Sequence, residues 1–150
     1  MLDFDYPIHY AGLIESINWN IQLPSALKGF FDESGIAEEC SPEKRGAQRR
    51  IVRMKGALVI DRGLPMISRE KRFIGVYTKD FSKDGCGILS PIQWFPEEVV
   101  RLVLPTFWLK LRVNCCQKLG NNCFQIGLEL LNRRDPDRAA FIHQGKFVRS

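Results

Sequence analysis

The chain has 150 residues, enough for one domain with a modest appendage, and 45% hydrophobic with 26% charged residues excludes wholesale disorder. Its net charge of +5 is unevenly placed. Residues 1–40 carry one cation, Lys28, against seven acids, a balance of −6, and residues 41–150 carry 21 cations against ten acids, a balance of +11.

Residues 1–40 join two apolar patches, "AGLIESINWNI" and "LPSALKGFF", to acids and small residues. Leu13, Ile14, Ile17 and Ile21 recur at helical spacing, and Ser25 is placed to cap a short helix bearing Leu27, Phe30 and Phe31 that Gly35 would end. Residues 1–44 therefore read as an acidic N-terminal extension and linker, the segment "EECSPEKRGAQ" being a loop of Pro, Gly, Ser and charge. From Arg49 the pattern changes to short strands: 51–60, 72–80, 86–90, 99–105, 107–116 and 122–131. Six strands without intervening helices argue for a mainly β fold, a closed antiparallel barrel or a sandwich. "RDPDRAAFIHQGKF" then reads as a short capping helix, with Asp135 or Asp137 ahead of Ala139–Ile142.

Two segments carry chemistry. "RRIVR" places Arg49, Arg50 and Arg53 at the mouth of the first strand, and "DFSKDG" places Asp80, Ser82 and Gly85 where the second strand turns into the third. The guanidinium offers five donors in a fixed fork, suited to phosphate oxygens and to the O6/N7 edge of guanine. An aspartate only accepts, which suits the N–H donors on guanine's Watson–Crick edge, and a serine beside it can donate or accept. Gly85 serves either a positive φ or a close backbone approach. Taken singly, such arginines are usually solvated surface and such an Asp-x-Ser an ordinary turn cap.

Together, and in this order, the two segments resemble the RxxxR and (D/N)xSxxG motifs of the PilZ domain, a bacterial receptor module for cyclic di-GMP. The resemblance runs from about Arg45 to Asn132, and "WLKLRVNCC" and "FQIGLELL" are similar to the family's last two strands. It implies a six-stranded antiparallel β-barrel over residues 45–150 with a C-terminal helix, and a ligand, cyclic di-GMP, rather than a bound cofactor. It further implies that Arg49 and Arg53 grip phosphate and guanine, with Arg50 in support, that Asp80 and Ser82 hold guanine edges, and that Gly85 shapes the turn. Gln48, standing before the first motif, leans toward one ligand molecule per chain. The segment before the barrel would order on binding and present or hide a surface for a protein partner in trans.

No nucleophile elbow, P-loop or paired carboxylates are present, so catalysis is not expected. His9 and His143 have no Cys or Asp at ligand spacing, so a metal site is not expected. Cys40, Cys86, Cys115, Cys116 and Cys123 make an odd set without CxxC spacing, which fits a reduced, cytoplasmic setting, and no secretory signal opens the chain. Apolar runs are too short for a membrane span, so membrane insertion is not expected. Trp94, in "SPIQWFPEE", is expected in an exposed loop. Two alternatives stay open: a PilZ-like interaction module that binds no nucleotide, and a small basic barrel for single-stranded nucleic acid, the less expected partner.

Overall fold

The computed structural model describes residues 5–32, 35–36, 50–143 and 146–147. Two short strands, β1 (Gly35–Ile36) and β2 (Arg50–Ile51), precede β3 (Lys55–Arg62), β4 (Ile74–Ser82), β5 (Gly85–Ser90), β6 (Val99–Val103), β7 (Trp108–Gly120) and β8 (Cys123–Arg134). β3 to β8 pair antiparallel in the order β4-β3-β6-β7-β8-β5, and the pairing of β5 with β4 closes the ring. The fold is thus mainly β, a closed six-stranded antiparallel barrel with β2 outside the ring. A closed ring leaves no edge for foreign strands to pair with.

Alternation sets what fills the barrel. Leu58, Ile60, Val76, Cys86, Ile88, Val100, Leu102, Leu111 and Ile126 point inward and form the main core with Trp94. The outer face is also largely covered. Ala57, Val59, Val103 and Trp108 lie under Tyr6, Leu13, Phe73 and Phe141, and Leu89 and Cys123 lie under Phe30. Burial on both faces explains why "ALVI" reads as an unbroken apolar run and why "VVRLV" departs from one only at Arg101.

The N-terminal covering begins with α1 (Tyr6–Ser16), capped by the Asp5 carboxylate, which accepts from the amide of Ile8, with Pro7 in its first turn. The Tyr6 hydroxyl donates to the carbonyls of Leu104 at 2.6 Å and Phe107 at 2.9 Å, and that of Tyr10 to Lys55 at 2.6 Å. Ile17 is already extended, so the helical spacing seen at Leu13–Ile21 ends one turn early. Ser25–Leu27 and Phe30–Asp32 are single 3-10 turns, and the Ser25 side chain caps neither. Trp19 lies flat against Gly75, where a Cβ would sit 2.4 Å from the indole, and stacks on Tyr77 at 5.6 Å.

The expected C-terminal helix is one turn long, a 3-10 turn at Arg138–Phe141 capped by Asp137, followed by a small hairpin, β9 (Ile142–His143) and β10 (Lys146–Phe147). Buried Arg101 holds this turn, donating to the carbonyls of Ala139 and Ala140 and to Asp61. Among the described residues no helix is long and apolar enough to cross a membrane.

Candidate functional site

The strand expected over 51–60 is interrupted, and the interruption builds the site. Ile51 pairs with Asp80 and Lys55 with Tyr77, so four steps on one side face three on the other. This is a β-bulge, and Arg53 sits inside it rather than at the mouth of a regular strand. A second slip occurs on the opposite edge of β4, between Thr78 and Asp80. Bulges re-aim side chains, and here the effect is definite. Uninterrupted alternation from Val76 would turn Asp80 into the barrel with Thr78. The extra residue, Lys79, instead pairs Asp80 with Gly87 on the outer face, and Phe81 with Cys86 toward the core.

Thr78 pins the first bulge. Its hydroxyl, fully buried, donates to the Val52 carbonyl at 2.6 Å and accepts from the Met54 amide at 2.9 Å. Held this way, Arg53 donates from Nε to the Lys79 carbonyl at 2.9 Å and from Nη1 to the Phe30 carbonyl at 3.0 Å. Its guanidinium lies 3.9 Å above the Phe30 ring, a cation–π arrangement. One arginine thus joins β4 to the N-terminal segment.

Asp80 is 3% exposed. Its Oδ2 is 3.3 Å from the Lys79 ammonium, and its Oδ1 lies where a Cβ on Gly87 would come within 3.1 Å. The carboxylate therefore rests over a strand where a side chain would crowd it and glycine gives it room. Gly87 pairs in turn with Gly127, extending this low surface onto β8. Ser82 and Gly85 frame the two-residue turn Lys83–Asp84. The Ser82 hydroxyl accepts from the Asp84 amide at 3.3 Å, an ordinary turn contact. Gly85 is required for close approach rather than positive φ: a Cβ would sit 2.0 Å from the Leu128 carbonyl oxygen.

The expected site residues are thus partly gathered. Arg53 and Asp80 flank Lys79, while Ser82 and Gly85 lie further along the hairpin. Arg50 is exposed and pairs with Phe81, one residue out of phase with Asp80. Arg49 lies outside the described residues, as do Arg45, Gln48 and Cys40. Sequence reasoning passed over Thr78, Phe30 and Gly87. A polar residue in a strand otherwise bearing Val76, and the Gly85-x-Gly87 repeat, are the signals that mark two of them. Nothing local marks Phe30, whose role comes from packing across the barrel.

Beyond Ser82 and Gly85 the barrel end is hollow. A cavity of about 440 Å³ opens there, walled by Met54, Phe81, Leu109, Leu111 and Leu130, with Lys83 and Arg133 also lining it. At the opposite end a cavity of about 520 Å³ lies between the loops, lined by Asn18, Arg69, Arg72, Ile92 and Trp94, and the barrel interior beneath is filled. Trp94, expected in an exposed loop, is 3% exposed and plugs the core, its indole donating to Ser90 Oγ at 3.1 Å. Above it, Arg69 makes a two-pronged contact with fully buried Glu98, at 2.8 and 2.6 Å, and stacks 4.2 Å over the Trp94 ring. Trp94 alone of residues 92–97 is buried, covered by the Arg69 guanidinium, while Ile92 and Phe95 beside it stay exposed. Burial also pushes the Cys116 thiol above its ordinary value, away from the reactive thiolate. Among the described residues, no three His, Cys, Asp or Glu side chains are grouped to hold a metal ion.

No protein-family model matches the chain, and neither a curated protein nor a solved structure matches it.

Proposed function

We propose that this chain is a PilZ-type receptor for cyclic di-GMP, non-enzymatic, that passes ligand binding to a protein partner in trans. The observation that carries the reading is the register of β2 on β4, Ile51 opposite Asp80, which brings Arg50 and Arg53 alongside "DFSKDG" on neighbouring strands. Cations and an acceptor side by side match a ligand with two phosphates and two guanines. Charge-assisted hydrogen bonds contribute about 1.5–3 kcal/mol each. Two or three of them, less ordering costs, support an affinity near micromolar, about −8 kcal/mol.

The geometry also suggests how the signal travels. Arg53 is occupied by the Phe30 carbonyl and ring, and Asp80 is covered. A ligand that recruits both must take Arg53 from Phe30 and expose the carboxylate. Binding then trades one set of Arg53 bonds for another and loosens residues 19–32 from the outer face of β4. The population needing this exchange lowers the apparent affinity in proportion.

The same engagement of Arg53 and burial of Asp80 favour a second reading, a PilZ-like interaction module in which both residues only hold the N-terminal segment. Calorimetry with cyclic di-GMP, GTP and a short oligonucleotide, on the wild type and on Arg53→Ala and Asp80→Ala, separates the readings. The receptor reading expects binding of the cyclic dinucleotide alone, weakened at least tenfold in each variant. No cyclic dinucleotide binding by the folded wild type selects the interaction module, and equal oligonucleotide binding by all three proteins selects a nucleic-acid barrel.

A further inference from the structure

We propose that the hollow barrel end is a separate binding site for a monomeric amphipathic anion, a medium-chain fatty acid. Its volume of about 440 Å³ lies within the range of small-ligand cavities, and the mouth of a barrel is a common place for one. Met54, Phe81, Leu109, Leu111 and Leu130 supply a wall of aliphatic and aromatic carbon. Ser82 brings the one side-chain hydroxyl in the lining. A nucleobase here would leave most of its donors and acceptors unmatched, at a cost that a hydrocarbon chain does not incur.

Charge then selects the head group. Lys83 and Arg133 line the cavity and no acid does. Neither cation makes an ion pair or hydrogen bond with another described residue, whereas Arg69, Arg101 and Arg112 each pair with a carboxylate. The Arg133 guanidinium is held 4.2 Å over the Phe107 ring, which fixes its position without consuming its hydrogen-bond donors. A carboxylate between Lys83 and Arg133, with its chain running down toward Leu111, satisfies both cations and removes the apolar wall from water. The free energy scales with the chain carbon buried, so affinity rises with chain length until the cavity is full.

The cavity adjoins the candidate nucleotide site through Ser82 and Gly85 but is lined by neither Arg53 nor Asp80, and its occupancy is tested on the full chain. Decanoate below its micelle concentration is titrated calorimetrically into the wild type, into Lys83→Glu/Arg133→Glu, and into Leu130→Trp, with decanol as the uncharged comparison. The expected result is saturable binding of one decanoate per chain, weakened more than tenfold by the charge reversal, while decanol binding is unaffected by it. Leu130→Trp fills the cavity and abolishes both. Since the charge-reversal variant changes only exposed side chains, it remains informative should Leu130→Trp fail to fold. Absence of saturable binding to the wild type, or decanoate binding indifferent to the charge reversal, overturns the proposal. Cyclic di-GMP titrated into the wild type and into Arg53→Ala keeps failure here distinct from failure of the receptor reading.

Discussion

The two ends of the barrel are built on opposite terms. At the end where the 63–73 and 91–98 loops meet, Arg69 gives its donors to Glu98 and to the Gln93 carbonyl, over a Trp94 that fills the core. At the other end, the Lys83–Asp84 turn and the 104–107 turn surround a cavity whose cations face no carboxylate in its lining. The first end pairs its central cation with a buried carboxylate, and the second leaves Lys83 and Arg133 without a carboxylate partner among the described residues.

The largest test is to break the closed end. Glu98→Ala leaves the Arg69 guanidinium buried without its counterion, and such losses cost about 3–5 kcal/mol. Urea denaturation should show this, with Lys83→Ala at the open end changing stability by less than about 0.5 kcal/mol. Equal effects at the two ends would dissolve the contrast.

Next in size are changes to the frame of the candidate site. Gly85→Ala drives a Cβ toward the Leu128 carbonyl, backbone against backbone, at a cost of about 1–3 kcal/mol by thermal melting. Thr78→Val keeps the shape but leaves the Met54 amide and Val52 carbonyl without their hydroxyl partner. An unsatisfied buried group costs about 1–3 kcal/mol. Because the bulge aims Arg53, this variant should also weaken cyclic di-GMP binding, whereas Gly85→Ala should act mainly on stability.

The smallest effect is confined to alkali. Burial pushes the Tyr10 hydroxyl up to about 12, and burial raises Tyr6 further and Tyr77 to a lesser extent. Tyrosine in the unfolded chain ionises near about 10. Above that pH the unfolded chain releases protons that the native state keeps, so stability falls as pH rises, and Tyr10 ceases to contribute beyond about 12. Below about 10 neither state is ionised and nothing changes. Tyr6 and Tyr10 tie α1 to the Leu104, Phe107 and Lys55 carbonyls at the open end. Amide exchange followed through alkaline titration should therefore rise first around 104–107, before the Glu98 end loosens.

Much of the barrel was legible because alternation is a local property. The runs around Leu58–Ile60, Val100–Leu104 and Cys123–Leu130 mark their strands within a few residues, and Asp137 marks the last turn. The bulges were not legible. Nothing in "RIVRMK" or "YTKDF" announces that Arg53 and Lys79 are extra residues, since a bulge is a property of a pair of strands and each strand alone looks regular. The same limit misplaced Trp94. Its proline-flanked segment reads as exposed loop and is exposed on either side of it; Arg69, arriving from the 63–73 loop, and the Ser90 hydroxyl hold the indole itself in the core.

By itself, then, the sequence determined the strand content, the placing of charge, and the two short segments whose residue types suit a guanine dinucleotide. These follow from side-chain chemistry and from a period of two. The tertiary structure decided which of those residues meet: Asp80 turned outward over Gly87, Arg53 fastened to Phe30, Trp94 set into the core at one end and Lys83 and Arg133 gathered at an apolar cavity at the other. Each depends on register between strands far apart in the chain. A one-residue slip in register exchanges inside for outside, and the composition of a single strand does not record it.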